Sequence, residues 1–160
     1  MKTVDCVDLE GKLVAVNAAD VTFCPAVYGI LIENQRVLLQ QHASSGLWHP
    51  PGGRLPEGQA PDRAVRAFFR AATGMLPELG PLLSLEEHYR IDDEGRAWHL
   101  SVMYYALTRA PGAMATPGQP EEEQPAWIPL EALTREQMLL GYPAVQAYSK
   151  QLGRQRLQIS

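Results

Sequence analysis

The sequence predicts a single α/β domain in which helices cover both faces of a mixed β-sheet. Three observations predict this fold class. Residues 21–32 form a long apolar run rich in β-favouring side chains. Residues 61–73 carry apolar side chains at helical spacing, between a proline at the start and a glycine just after the end. Two strand-like runs, 82–91 and 97–107, flank the turn sequence Asp92-Asp93-Glu94-Gly95.

Length and composition fit one globular domain spanning residues 1–160. Hydrophobic residues make up 46% of the chain and charged residues 20%, which argues against intrinsic disorder. The net charge of −4 argues against nucleic acid as a partner, and no apolar run is long enough to span a membrane. Acids near the N-terminus and two isolated cysteines, Cys6 and Cys24, favour a cytoplasmic protein.

The first strands are predicted before the helix. Residues 3–17 are expected to form a hairpin that turns at Glu10-Gly11, within an N-terminal extension of residues 1–20. The strand over 21–32 then turns at Asn34-Gln35 into a partner strand at 36–40. A short strand at 47–49 is stopped by two prolines, after which two glycines allow a tight turn.

The helix over 61–73 has both of its ends marked. Pro61 suits the first turn, Asp62 suits the positive end, and Gly74 suits the position after the last turn. Beyond the predicted hairpin, a loop over 110–126 is rich in proline and glycine. A short strand at 127–128 and helices from about Glu131 and from Pro143 complete the predicted order.

One segment carries a specific motif. The stretch from Gly53 through the predicted helix to Gly74-Met75 resembles the Nudix box, G-x5-E-x7-R-E-U-x-E-E-x-G-U, where U is aliphatic. The resemblance extends from about Val21 to Lys150 and implies a Nudix-type α/β/α sandwich. Nudix enzymes, by this resemblance, cleave a nucleoside diphosphate linked to another group X, using water activated on Mg2+ or Mn2+.

The segment keeps the frame of the box but none of its acids. The glutamates and the arginine of the motif fall on Gln59, Phe68, Ala71, Ala72 and, for the arginine, Ala67. Mg2+ prefers oxygen ligands, which glutamates on one helix face supply and hydrocarbon side chains do not. Residues 61–73 contain one acid and three arginines, a net charge of +2. We therefore expect no catalytic residue in the box, and neither a metal nor another cofactor.

Three stripes are predicted on this helix: a core stripe, a second apolar stripe at the metal cleft, and a basic stripe. They are Val65, Phe69 and Ala72; Ala64, Phe68 and Ala71; and Arg63, Arg66 and Arg70. Phe68 either fills the emptied site, covers a ligand, or packs against a partner. The basic stripe is either a solvated face or a phosphate contact.

The expected function is binding without catalysis. The ligand is a nucleotide-like molecule in the former catalytic cleft, or else a protein partner. The residues expected to bind the ligand are Trp48, Gly52, Gly53, Arg54, Gln59 and Phe68. A homodimer, which is frequent among Nudix proteins by resemblance, stays open, and so does a purely structural role.

The alternative is an atypical metal-dependent pyrophosphohydrolase that uses carboxylates outside the box. The candidate catalytic residues are Glu57, Glu87, Glu121, Glu122 and Glu123, with Glu57 and Glu121 as ligands for Mg2+ or Mn2+.

The predicted hairpin offers a different metal site. If it closes around Asp93-Glu94, His88 lies opposite His99, on the face that also holds Glu86 and Arg90. Solvated charges and ordinary cross-strand pairs are the simpler explanation of both sets of residues.

Overall fold

The computed structural model of the protein describes residues 2–110 and 125–159. Within them the strands are β1 (Thr3–Val7), β2 (Leu13–Asn17), β3 (Val21–Glu33), β4 (Arg36–Gln41), β5 (Trp48–His49), β6 (Gly52–Arg54), β7 (Pro77–Ile91), β8 (Ala97–Arg109) and β9 (Ala126–Pro129). The α-helices are α1 (Pro61–Thr73) and α2 (Tyr142–Ile159), and single 3-10 turns cover Ala18–Asp20, Leu130–Ala132 and Arg135–Gln137.

The strands form a mixed sheet in the order β2-β1-β7-β8-β3-β4-β5, with β6 paired to β3 and β9 paired to β4. The central pair, β3 with β8, is parallel from Val21 to Leu31, and β1 also runs parallel to β7. The remaining pairs are antiparallel. The sheet is therefore mixed, as predicted.

The side chains of β3 alternate between two layers of the core. Ala26 and Ile30 belong to the buried cluster that includes Ala144 of α2. Val27 belongs to a separate cluster with Val65 of α1. Because neighbouring strand residues point to opposite faces, the two helices cover opposite sides of the sheet. This α/β/α arrangement confirms the predicted fold class.

Helix α1 begins and ends where the sequence predicts. Pro61 occupies the first turn, and Gly74 adopts a left-handed conformation with φ of 74°, its N–H donating to the carbonyl of Arg70. Val65 and Phe69 of the predicted core stripe are fully buried, and Ala72 is half-buried. The spacing of the apolar residues therefore predicts which face of this helix enters the core.

Both early hairpins are confirmed. The β1–β2 loop turns at Gly11, and the carboxylate of Asp8 accepts hydrogen bonds from the backbone N–H groups of Glu10 and Lys12. Asn34 and Gln35 both have positive φ values, 52° and 62°, as a two-residue hairpin turn requires.

Two elements differ from the prediction. Strand β7 begins at Pro77, five residues before the predicted start, and its pairing with β8 is irregular between Leu79 and Ser84. Pro81 lies in this irregular stretch and cannot donate a ladder hydrogen bond, which hides the strand pattern. The helix expected from Glu131 is wrong, because this region forms only two separate 3-10 turns.

The predicted register of the β7–β8 hairpin is also wrong, by one residue. His88 pairs with Leu100, and His99 pairs with Tyr89. The loop has five residues because the Asp92 carboxylate accepts hydrogen bonds from the backbone N–H groups of Glu94 and Arg96. His88 and His99 therefore lie on opposite faces of the sheet, which removes the predicted two-histidine metal site.

The two α-helices among the described residues lack the run of apolar side chains that a membrane-spanning helix requires. The predicted loop over 110–126 lies mostly outside the described residues, and Glu121, Glu122 and Glu123 fall within that part.

Candidate ligand-binding site

Strand β6 contains two consecutive glycines, Gly52 and Gly53, and each is packed closely against a different neighbour. Gly52 lies so close to β3 that a Cβ atom there would be 2.2 Å from the carbonyl oxygen of Val27 and 2.6 Å from Cα of Tyr28. A Cβ atom at Gly53 would instead meet the ring of Phe68, 3.2 Å from Cε1. Gly52 therefore allows β6 to approach β3, and Gly53 is where the strand meets α1.

The ring of Phe68 lies on the α1 side of β6. It is half-buried and packs against the cluster that contains Ala64 and Val65. Ala72 is half-buried and Ala71 is exposed, so the second predicted apolar stripe is only partly covered. Of the three alternatives for Phe68, this packing favours the one in which its ring fills the position of the missing carboxylate.

The basic stripe of α1 lies on the outer surface. Arg63, Arg66 and Arg70 are exposed, and with Leu76 they line an open groove of about 590 Å³. Among the described residues these arginines form no salt bridge. Their exposure favours a solvated face, and a phosphate contact there stays a prediction.

A second space, a cavity of about 690 Å³, lies on the α2 side of the sheet. Ala26 of β3 and Leu100 of β8 lie in its floor, while the β1–β2 loop and residues 138–140 form its walls. The polar and aromatic side chains of its lining are Asp8, Glu10, Tyr28, Gln40, His42, Ser45, His49, Arg54, Arg90, Asp92 and Trp98. Its volume lies in the range of small-molecule binding sites.

Trp98 lines this cavity and contacts two arginines and an aspartate. The guanidinium carbon of Arg54 lies 3.9 Å from the centroid of the indole ring, and that of Arg96 lies 4.9 Å away. The indole Nε1 donates a 2.7 Å hydrogen bond to Oδ2 of Asp92. These contacts fix the indole and hold the Arg54 guanidinium at the cavity by cation–π attraction.

Arg90 occupies the next strand, directly across from Trp98 in the β7–β8 register. Its Nη2 atom donates a hydrogen bond to the carbonyl oxygen of Leu139, and burial lowers the pKa of its guanidinium. Burial also raises the pKa of the nearby Tyr28 hydroxyl, although the positive charges of Arg90 and Arg54 both oppose this rise. Tyr28 therefore lies within electrostatic reach of both arginines.

Near Arg90, the side chains of Glu86, His88 and Tyr104 form a hydrogen-bonded network. Glu86 Oε2 is 3.0 Å from Nε2 of His88 and accepts a 3.5 Å hydrogen bond from the Tyr104 hydroxyl. Burial, together with the charge of Arg90, lowers the pKa of His88, and burial raises the pKa of Tyr104. The Glu86 carboxylate is thus already engaged by neighbours other than Arg90.

Asp92 is a carboxylate whose hydrogen bonds predict a dependence of stability on acid pH. The hydrogen bond from Trp98 and those from the backbone N–H groups of Arg96 and Glu94 hold the pKa of Asp92 below its usual range. A lowered folded-state pKa stabilises the fold above the ordinary Asp pKa of about 3.9, and this stabilisation is lost as the pH falls through the folded-state value. We expect Asp92→Asn to unfold at lower urea concentration than wild type at pH 7.

The difference in urea midpoint between wild type and Asp92→Asn should shrink as the pH is lowered from 5 towards 2. A difference that stays constant over this range would show that the carboxylate charge does not matter.

The structure brings together only some of the predicted site residues. Gly52 and Arg54 line the cavity, whereas Gly53 and Phe68 lie on the α1 side. Trp48 packs against the core, and its carbonyl accepts a 2.8 Å hydrogen bond from the backbone N–H of Leu139, in the cavity wall. Gln59 is half-buried in the loop before α1.

Of the candidate carboxylates of the alternative function, the structure describes Glu57 and Glu87. Glu57 is exposed in the turn before α1. Glu87 lies on the α1 side of the sheet, where hydrogen bonds from His99 and Ser101 hold its pKa below the usual range. Among the described residues, no three His, Cys, Asp or Glu side chains lie close enough together to hold a metal ion.

Tyr28, Arg90 and Trp98 were not among the predicted site residues. Arg90 and Trp98 pair across the antiparallel β7–β8 hairpin, and Tyr28, which is far from both in sequence, joins them through the parallel pairing of β3 with β8. The one signal available was the alternation within the hairpin, which places Glu86, His88 and Arg90 on one face.

Comparison with known proteins identifies the family. The NUDIX domain family matches residues 22–147. None of the curated proteins matches the chain in sequence. Among solved structures, a MutT NUDIX hydrolase from Burkholderia pseudomallei is similar with a TM-score of 0.60 at 20% identity, over 79% of this chain and 98% of that one.

Two further structures have the same fold. An ADP-ribose pyrophosphatase from Streptococcus suis matches with a TM-score of 0.57 at 17% identity, over 78% of this chain and 87% of that one. A UDP-X diphosphatase matches with a TM-score of 0.60 at 16% identity, over 82% and 65%. Since the family match covers well over half of the chain, this protein belongs to the Nudix family.

Proposed function

We propose that this protein binds a nucleotide-like ligand in the cavity on the α2 side of the sheet and does not hydrolyse it through the box. The observation that carries the proposal is the position of Phe68, whose ring packs beside Gly53 where the motif has a glutamate. Hydrocarbon at this position supplies no ligand for a divalent cation.

The donor set of the box does not fit Mg2+ or Mn2+. The four glutamate positions of the motif offer one neutral amide oxygen, from Gln59, and three hydrocarbon side chains. The three exposed arginines of α1 add positive charge to the same helix, and solvent weakens their repulsion of a cation without reversing it. We therefore derive no catalytic step through a metal at this position.

The cavity supports the binding part of the proposal. Tyr28 and His49 line the cavity as an edge-to-face pair of rings, with centroids 6.3 Å apart and planes at 80°, and supply aromatic surface for contact with a base. Arg54 and Arg90 supply positive charge in the same lining, which suits a phosphate chain. The names of two similar proteins, ADP-ribose pyrophosphatase and UDP-X diphosphatase, support a nucleoside diphosphate derivative as the ligand class.

The same two names favour a second candidate function, an atypical pyrophosphohydrolase. Its carboxylates would be Glu57, Glu87 and the acidic run at 121–123. Glu87 fits this function poorly, because its carboxylate is already hydrogen-bonded on the face of the sheet opposite the cavity.

Two parallel measurements on one panel of compounds separate these functions. We expect ADP-ribose or a UDP-linked compound to raise the melting temperature on the order of 5–10 °C at a concentration of about 100 Kd, since ligands that bind only the folded state stabilise it. We expect no release of phosphate or nucleoside monophosphate from the same compounds with Mg2+ or Mn2+.

If the protein hydrolyses one of these compounds and a metal chelator abolishes the hydrolysis, the proposal that it has lost catalysis is wrong. If Glu57→Gln, or the joint change of Glu121, Glu122 and Glu123 to glutamine, then abolished that hydrolysis, the second candidate function would be correct. A panel that neither stabilises the protein nor is cleaved would overturn the ligand class.

A further inference from the structure

We propose that Arg54 and Arg90, which line the same cavity as Trp98, together form a phosphate-binding site. The inference rests on the proposed function for the location of the ligand, but it does not require the ligand to be a nucleotide. It assigns the anionic part of the ligand to Arg54, which occupies a variable position of the Nudix box, and to Arg90, which lies outside the box.

In the order of the strands, Trp98 of β8 lies between Arg90 of β7 and Arg54 of β6. Arg90 is the cross-strand partner of Trp98, and the side chains of such a pair lie about 5 Å apart at Cβ and point to the same face. Arg54 reaches Trp98 from β6, on the other side, and stacks over the ring. Both arginines line the cavity together with Tyr28, whose hydroxyl can donate a further hydrogen bond.

Arg90 has unused hydrogen-bonding capacity. A guanidinium carries five N–H donors, yet within residues 2–110 and 125–159 Arg90 makes one side-chain hydrogen bond, to the carbonyl of Leu139. It forms no salt bridge with any described residue, and neither does Arg54. A half-buried guanidinium in this state is stabilised by an anion, which offers several acceptors and the opposite charge.

Three carboxylates around the cavity are already engaged, and a further one, Glu10, is exposed on the β1–β2 loop. Asp92 accepts hydrogen bonds from Trp98 and from two backbone N–H groups. Asp8 accepts hydrogen bonds from two backbone N–H groups of its own loop, and Glu86 is hydrogen-bonded to His88 and Tyr104. These carboxylates lower the net charge of the region without neutralising either arginine by direct contact.

Two guanidinium groups favour a phosphoryl anion over a carboxylate. Each guanidinium presents a planar pair of donors, and a phosphate or diphosphate has enough oxygens and charge to accept both pairs at once. A carboxylate has two oxygens and one charge, so it matches one arginine and leaves the other unpaired. Inorganic pyrophosphate is therefore the probe that isolates this site from any contribution of a base.

Calorimetric titration of the full chain with pyrophosphate tests the inference. We expect wild type to bind, and Arg90→Gln and Arg54→Gln each to weaken binding on the order of tenfold to a hundredfold. Arg90→Lys keeps the charge but not the paired donors, and should fall between wild type and Arg90→Gln. The matched control is Arg96→Gln, because Arg96 also stacks on Trp98 but does not line the cavity.

We expect Arg96→Gln to bind pyrophosphate within about twofold of wild type, because Arg96 is exposed, does not line the cavity, and has its charge screened by solvent and salt. Equal losses in the Arg54, Arg90 and Arg96 variants would overturn the site in favour of a general charge effect. Unfolding midpoints measured on the same samples identify any variant that has lost its fold, and Arg90→Lys then serves in place of Arg90→Gln.

The inference and the proposed function fail in different ways. If uridine or adenosine compounds stabilise the protein but pyrophosphate does not bind, the phosphate site is overturned and nucleotide binding stands. If pyrophosphate binds in an arginine-dependent manner and no nucleotide does, the phosphate site stands and the nucleotide ligand is overturned.

Discussion

Glutamates restored at the four motif positions are expected to create a divalent-metal site in this protein. The variant carries Gln59→Glu, Phe68→Glu, Ala71→Glu and Ala72→Glu. Three of these positions lie at i, i+3 and i+4 on α1, so their carboxylates share one helix face and can hold one cation. We expect calorimetry to detect Mn2+ binding with a Kd between about 1 μM and 1 mM, equivalent to roughly 4–8 kcal/mol.

Restoring the glutamates is expected to reduce the stability of the fold, which the motif alone does not reveal. Phe68 packs on Gly53 and on the Val27 cluster, so Phe68→Glu is expected to destabilise the metal-free variant by about 2 kcal/mol. Bound Mn2+ should recover part of this loss, because ligands of the folded state stabilise it.

A charge-matched control separates a metal site from a general increase in negative charge. The double change Arg66→Glu and Arg70→Glu alters the net charge by the same four units on the exposed face of α1. We expect this variant to bind Mn2+ at least tenfold more weakly than the restored one, because two carboxylates offer fewer ligands than four. A folded restored variant that takes up no Mn2+ would contradict the alignment of this segment with the box.

Replacing each of the two glycines of β6 by alanine is expected to change the free energy of unfolding by very different amounts. Gly52→Ala places a Cβ atom 2.2 Å from a backbone oxygen of β3, so one strand must move away from the other. We expect a loss on the order of 3 kcal/mol in the free energy of unfolding, measured by urea denaturation. Ligand binding should weaken as well, because Gly52 lines the cavity.

Gly53→Ala is the matched control for this substitution. Its Cβ atom meets only the ring of Phe68, at 3.2–3.8 Å, and a side chain can shift by a few tenths of an ångström. We expect a change of less than about 1 kcal/mol, since the lower entropy of the unfolded chain offsets the contact. Similar losses in the two variants would show that β6 does not pack on β3 as described.

Local signals allowed the sequence to predict single elements accurately. Pro61 and Gly74 define the ends of α1 by backbone chemistry, and the apolar spacing between them predicts its buried face. The Asn34-Gln35 turn is likewise a local feature. The hairpin register was missed because it depends on the side chain of Asp92, which bonds two backbone N–H groups and adds a residue to the loop.

The cavity was harder to predict from the sequence than the box. The motif directs attention to residues 48–72, yet the cavity joins these to β7, β8 and the segment 138–140. Arg90 and Trp98 meet through strand register, and Arg54 joins them through the pairing of β6 with β3. These contacts depend on the register and topology of the sheet, and only the alternation within the β7–β8 hairpin provides a sequence signal for any of them.

Anomalous diffraction from a crystal soaked with Mn2+ and a nucleoside diphosphate tests the central claim most directly, namely that the box binds no metal while the cavity still binds a ligand. We predict density for the uncleaved diphosphate between Arg54 and Arg90, and no manganese signal beside residues 57–72. A manganese peak adjoining Gly53 and Phe68, together with a cleaved ligand, would contradict it.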